Sequence, residues 1–156
     1  MVLKQQMMTI EEQLERPYWV IDILPKQVPV SAKGQYFKVE EYYLQHHQID
    51  VLYKKFVNIL LKLNCYDEMN FSSDGETWTT NPSPQDIEAM VMKCLASKEM
   101  LYVILKSSNT MITIAGDDTY MTVYGPTNDV LKLLGSLATS EGLFVWNPAT
   151  VVEEPS

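Results

Sequence analysis

The chain has 156 residues, a formal net charge of −8 and a hydrophobic content of 46%. It carries 20 acidic and 12 basic side chains, and Arg16 is the only arginine. Phosphates are bound best by the bidentate guanidinium group, so this composition argues against nucleic-acid, nucleotide or anionic-membrane partners. It favours a folded protein that binds a partner of opposite charge or associates with itself.

The two ends of the chain differ from its middle. Residues 1–16 lack the apolar stretch of a signal peptide, so we expect a cytoplasmic protein. We interpret them as a leader and a short helix, because Thr9 and Glu12 have capping-box spacing. We expect residues 17–148 to form one globular α+β domain and residues 149–156 to form a mobile acidic tail. No apolar run reaches the ~20 residues that cross a bilayer, so no membrane contact is expected.

Short runs of aromatic, β-branched and other apolar residues predict strands. They cover residues 18–24, 101–106, 110–114, 119–124 and 143–146. Gly- and Asn-containing turns separate the three central runs, which predicts an antiparallel meander. Alternation along the fourth run directs Met121 and Val123 to the core, with Tyr120, Thr122 and Tyr124 on the other face.

Apolar periodicity predicts four main helices. They cover residues 35–45, 49–63, 84–96 and 128–140. The second has the strongest periodic signal and is expected to be a core helix. Ser83 before Pro84 is a helix-start signal, and Gly142 is placed to end the last helix in a left-handed conformation. We therefore predict an α+β fold in which helices pack on an antiparallel sheet of about 4–6 strands.

The most polar part of the chain, residues 65–84, leaves its structure open. Asp74 and Gly75 form a tight-turn signal, which is compatible with a small hairpin or with a surface loop. Cys65 and Cys94 each lie in an apolar helical pattern. We interpret both as buried, reduced thiols rather than reactive ones.

The sequence contains none of the spacings that mark a catalytic serine, a phosphate loop, a dinucleotide fold, a zinc protease or a redox cysteine pair. His46 and His47 lie in a polar stretch between two predicted helices. Solvated junction residues are the favoured interpretation, ahead of a pH-sensitive contact and of metal or general-base chemistry. We interpret Asp117 and Asp118 as turn residues rather than metal ligands. No cofactor and no metal are predicted.

Aromatic residues are the one excess in the composition. Exposed Tyr and Trp are enriched at interaction hot spots, although helices on both sheet faces can also bury such rings, and that alternative carries more weight. The candidate interaction residues are Tyr42, His46, His47, Trp78, Tyr120 and Tyr124.

The leading hypothesis is a non-catalytic, acidic, cytoplasmic binding protein, such as an immunity- or antitoxin-like inhibitor of a basic partner. One alternative is a small-molecule-binding domain or an enzyme with an unfamiliar site, and another is a structural subunit of a larger assembly. Over residues 17–148, the ordered phrases YWVIDILP, GQYF, LYKKF, LLKLNCY, DDTYMTVY and SEGLFVW resemble small uncharacterised bacterial cytosolic proteins. The resemblance implies no activity, cofactor or site residue.

Overall fold

The computed structural model describes residues 8–148, in which seven antiparallel strands form one sheet. The strands are β1 (Tyr18–Asp22), β2 (Met69–Ser72), β3 (Thr79–Thr80), β4 (Met100–Leu105), β5 (Thr110–Ala115), β6 (Tyr120–Tyr124) and β7 (Phe144–Trp146). Their order across the sheet is β3-β2-β4-β5-β6-β1-β7. The predicted tail and residues 1–7 of the predicted leader lie outside the described residues.

The described range also contains five helices, and a short 3₁₀ turn precedes the second. The helices are α1 (Ile10–Leu14), α2 (Lys33–Gln45), α3 (Gln48–Asn64), α4 (Pro84–Ser97) and α5 (Asn128–Ser140). About 47% of the described residues are helical and 22% lie in strands, which confirms the predicted α+β class. The predicted end signals operate: Thr9 and Glu12 form the capping box, Ser83 caps α4, and Gly142 follows α5 with φ of +76°.

The sheet has seven strands rather than the five assigned from sequence. The two additional strands, β2 and β3, form a hairpin at the sheet edge within residues 65–84, the segment whose structure the sequence left undecided. One carboxylate oxygen of Asp74 accepts hydrogen bonds from the backbone N–H groups of Glu76 and Thr77, each at 2.8 Å. The Ser72 hydroxyl donates to the same oxygen at 3.0 Å. These bonds hold the turn and lower the pKa of Asp74 to about 2.

Helices α3, α4 and α5 cover one face of the sheet, which we call the core face. Met121 and Val123 point into it as predicted, and both are fully buried. The predicted core helix α3 supplies eight buried side chains, which are Ile49, Leu52, Tyr53, Phe56, Val57, Ile59, Leu60 and Leu63. Removal of this apolar surface from water is the main stabilising contribution to the fold.

The other side of the sheet, which we call the second face, is only partly covered. Helix α1 lies over part of it, where the Ile10 side chain and the Tyr102 ring both lie close to Gly75. Arg16, just after α1, donates hydrogen bonds to the backbone oxygens of Asn109 and Gly125, the latter at 2.9 Å. The part of this face formed by β6, β1 and β7 carries the cleft described below.

The prediction for the two cysteines is confirmed at one position and wrong at the other. Cys94 is buried, its thiol donates to the Glu99 oxygen at 2.9 Å, and burial raises its pKa to about 12. Cys65 is exposed because it follows the end of α3. It lies two residues beyond buried Leu63, which turns its side chain about 200° away from the apolar stripe.

Candidate functional site

A cleft of about 560 Å³ opens on the second face at the β6-β1-β7 end of the sheet. We call it the aromatic cleft. Its strand residues are Tyr18, Val20 and Asp22 from β1, Tyr120, Thr122 and Tyr124 from β6, and Trp146 from β7. Its remaining walls are Leu24, Lys26, Gln27 and Val28 after β1, Lys33, Tyr36 and Phe37 at the start of α2, and Pro148.

The strand register places these side chains next to one another. Alternate residues of a strand point to the same face, so Tyr18, Val20 and Asp22 share one side of β1. Tyr18 pairs with Tyr124, and Asp22 pairs with Tyr120 on β6. The predicted alternation of β6 is thereby confirmed, and its outward tyrosines meet the outward residues of β1.

Two aromatic pairs form much of the cleft wall. Tyr18 and Tyr124 have ring centroids 5.8 Å apart, and Tyr36 and Phe37 have centroids 5.7 Å apart in an edge-on arrangement. Phe37 is 56% exposed and Tyr18 is 40% exposed. These rings offer rigid contact area at the cleft rim to whatever binds there.

Asp22 is the most unusual residue of the cleft, because it is an acid within an apolar strand. It is only 6% exposed, and its Oδ1 atom has no hydrogen-bond partner among residues 8–148. The backbone N–H groups of Leu24 and Ile23 and the Trp146 indole lie close enough to lower the Asp22 pKa, although none of them has hydrogen-bond geometry with Oδ1. Burial has the larger effect and raises the Asp22 pKa.

Further acids lie outside the cleft lining but next to it, at what we call its inner end, where Asp118 interacts with Tyr120 and Glu40 with Tyr36. Burial and the neighbouring Asp117 carboxylate raise the pKa of Asp118 to about 6. Burial and Asp118 raise the pKa of Tyr120 to about 12. Glu40 contributes to both shifts and also raises the Asp22 pKa by repulsion. The inner end is therefore a region of negative potential.

No basic side chain within residues 8–148 forms an ion pair with these acids. The ion pairs of that range lie elsewhere: His47–Asp50, Lys62–Glu141 and Lys106–Glu68. Lys26 and Lys33 line the cleft, but both are exposed at its rim. The negative end therefore lacks a counter-charge in the part of the chain that is described.

The structure separates the six residues predicted as an interaction surface. Tyr120 and Tyr124 line the cleft. Tyr42 and His46 stack on each other at the C-terminal end of α2, with ring centroids 4.0 Å apart and the His46 Nδ1 atom 2.8 Å from the backbone oxygen of Tyr42. His47 lies at the α2–α3 junction, 3.6 Å from Asp50.

Trp78 lies just before β3, at the opposite edge of the sheet from the cleft. The six residues therefore do not form one surface, and the interaction role of all six stays a prediction.

Sequence reasoning missed the residues that make the cleft distinctive, above all Asp22 and Trp146. One signal was present: Asp22 interrupts the apolar run YWVIDIL, where a charge must be buried or lie on a polar face. Trp146 carried no such signal, because its neighbour β1 lies far away in sequence.

Residues 8–148 contain no cluster of three or more His, Cys, Asp or Glu side chains suited to a metal ion. In the same range no helix has both the length and the apolar character needed to cross a membrane. Comparisons with protein-family models, curated proteins and solved structures give no match for the chain.

Proposed function

We propose that this protein is a non-catalytic, cytoplasmic binding protein, and that the aromatic cleft is its binding surface for a basic protein partner. The observation that supports this proposal best is the combination of aromatic walls with acids that lack a cationic counterpart among the described residues. A partner with a basic surface complements both this cleft and the net charge of −8. An inhibitor of the immunity or antitoxin kind that masks a basic partner fits this description, because opposite potentials steer association.

The single arginine supports a protein partner over a nucleic acid. Arg16 donates hydrogen bonds to Gln13, Asn109 and Gly125, so its guanidinium group is engaged within the fold. Without a free arginine, the protein lacks the donor that phosphate recognition uses most.

The test is affinity capture from a native lysate, followed by reconstitution with the purified partner. Tyr18→Ala with Phe37→Ala removes two exposed rings from the cleft rim and is expected to weaken the reconstituted complex about tenfold or more. Tyr66→Ala is the matched control, because Tyr66 is 71% exposed and lies outside the cleft. Affinity should also fall as salt is raised, since exposed charges are screened.

Two results contradict the proposal. One is a specific partner that binds the cleft variant as tightly as it binds the wild type. The other is a wild-type protein that recovers no partner and elutes as a monomer.

A small-molecule-binding role is the second candidate, and the size of the cleft favours it. A volume of about 560 Å³ lies in the ordinary range of ligand pockets. Native mass spectrometry of protein purified from its source distinguishes the two roles. A retained compound that the Tyr18→Ala, Phe37→Ala variant loses supports the small-molecule role.

A further inference from the structure

Asp22 is held in a position that a buried acid rarely keeps without a partner. Its backbone is fixed on both sides, by Tyr120 of β6 and by Phe144 of β7. It is more than nine-tenths buried, and the N–H groups of Leu24, Ile23 and Trp146 lie nearby, yet no donor among residues 8–148 has hydrogen-bond geometry with its Oδ1 atom. Leaving a buried acceptor without a donor costs free energy. A bound ligand that donates a hydrogen bond to this oxygen would remove that cost.

The charge around Asp22 specifies the sign of that ligand. Glu40 and Asp118 both add negative potential near the cleft, and the described part of the chain supplies no ion-pairing base to either. The facing lysines, Lys26 and Lys33, are exposed at the rim and do not neutralise Asp22. A positively charged group restores the balance.

The walls specify the chemistry of that group. The rings of Tyr18, Tyr36, Tyr120, Tyr124 and Trp146 surround the cleft, and ring faces attract organic cations. A guanidinium group can stack on such a ring while it donates to a carboxylate. The cleft does not offer the set of oxygen ligands that a hard metal ion requires, and aromatic rings do not coordinate such an ion.

We propose that the aromatic cleft holds one organic cation, a guanidinium or alkylammonium group, with its donors directed to Asp22. This inference rests on the proposed function and names the group that the partner inserts: an arginine or lysine side chain. The exposed rings of Phe37 and Tyr18 at the rim favour a source within a larger molecule, because a single small cation leaves them uncovered.

The experiment follows the indole N–H signals by NMR while small probes are added. Trp146 reports on the cleft, and Trp78, at the far edge of the sheet, is the internal control. The probe is Nα-acetyl-arginine amide, and its neutral isostere is Nα-acetyl-citrulline amide. A probe of this size is expected to bind with a dissociation constant of about 1 mM, and the neutral probe at least tenfold more weakly.

Two variants test the role of Asp22. Asp22→Asn keeps an acceptor oxygen and removes the charge, so it is expected to fold and to weaken the arginine probe about tenfold or more. Glu88→Gln removes an equal charge from an exposed position on α4 and is expected to leave the affinity unchanged.

The outcomes separate this inference from the proposed function. The proposed cation site is wrong if the arginine and citrulline probes shift the Trp146 indole N–H signal equally, or if neither shifts it at tens of millimolar. The proposed function, partner capture through the rim rings, is not contradicted by either result. If Asp22→Asn leaves the arginine affinity unchanged, Asp22 and Trp146 are only a structural pair and the inference is overturned.

Two further probes identify the source of the cation. Tighter binding of free L-arginine than of the capped probe upholds the cation site and assigns it to a free amino acid, whose carboxylate is complementary to Lys26 and Lys33 of the cleft lining. Tighter binding of spermidine upholds the site and assigns it to a polyamine. If the capped probe binds best, a side chain of a partner protein is the source.

Discussion

At the residue scale, Tyr53 shows how this core accommodates a polar group. Its side chain is fully buried in α3, and its hydroxyl lies 2.6 Å from the Ala115 oxygen and 2.8 Å from the Asp118 oxygen. The single hydroxyl proton is shared between two backbone acceptors. Burial raises the pKa of Tyr53, so the hydroxyl stays protonated and remains a donor.

Tyr53→Phe is expected to lower the free energy of unfolding by about 1–3 kcal/mol, because it leaves two carbonyl oxygens without this donor. Urea unfolding measures the change. Tyr66→Phe is the control, since Tyr66 is 71% exposed and its substitution should change stability by less than about 0.5 kcal/mol. Equal losses from the two variants contradict the assigned role of the hydroxyl.

Asp118 gives a prediction about pH. Its pKa is about 6 in the folded protein and 3.8 as the reference value, so the folded state binds the proton more tightly than the unfolded state. Ionised Asp118 therefore destabilises the fold. This cost is absent below pH 3.8, grows as the pH rises to about 6, and is complete above that.

Asp118→Asn is expected to raise the free energy of unfolding at pH 7 by about 1 kcal/mol, a value discounted because Asp118 is only half-buried and solvent screens it. Denaturant titrations at pH 4 and pH 7 measure the effect, which should nearly vanish at the lower pH. Glu88→Gln, at an exposed position, should show no such dependence. A gain of equal size at both pH values contradicts the explanation.

At the element scale, α1 is attached to the sheet by polar contacts. Gln13 is fully buried and donates to the Asn109 side chain at 3.2 Å. Arg16 accompanies it and donates to the Gln13 side chain at 2.7 Å. Gly125 has φ of +62°, and a Cβ atom there would overlap the Arg16 guanidinium group. The chain's only arginine thus joins three segments that are distant in sequence.

Arg16→Lys keeps the charge but cannot reproduce the planar fork, so it is expected to cost about 1–3 kcal/mol and to free α1 first. Urea unfolding gives the loss of stability, and hydrogen exchange of residues 10–14 locates it. The control is Lys54→Arg, an exposed basic exchange on α3. If α1 keeps its protection in the Arg16→Lys variant, the contacts of Arg16 do not hold this helix.

At the scale of the whole molecule, stability is distributed unevenly between adjacent helices. Helix α3 has eight buried residues, whereas α2 has none and exposes Phe37, Val39 and Tyr42. A helix with little buried apolar surface opens at low free-energy cost. Because α2 also supplies a wall of the aromatic cleft, this low stability lies next to the proposed binding surface.

Native-state hydrogen exchange is expected to show opening of α2 at a lower free energy than opening of α3, which should exchange near the global limit. Adding the capped arginine probe should slow exchange in the first turn of α2, because Tyr36 and Phe37 line the cleft. The last turn of α3 serves as the internal control. Equal opening energies for the two helices contradict this distribution of stability.

Much of this fold could be predicted from local patterns. The alternation in β6, the apolar periodicity of α3 and the caps at Thr9 and Ser83 each act within a few residues, and each operates as expected. The turn signal of the β2–β3 hairpin was clear. The hairpin itself stayed undecided, because its strands are too short and polar to show a strand pattern. The position of Cys65 depended on where α3 ends, which periodicity does not specify.

The sequence by itself determined the fold class, the core side of β6, the core position of α3 and the negative charge of the protein, because these follow from composition and short-range periodicity. Only the tertiary structure decided that β1 lies between β6 and β7, and hence that Asp22 faces Tyr120 and lies near Trp146. Tyr120 lies 98 positions after Asp22 in the sequence, and Trp146 lies 124 positions after it. Local sequence patterns do not specify which distant strands pair, so the aromatic cleft could be identified only from the assembled sheet.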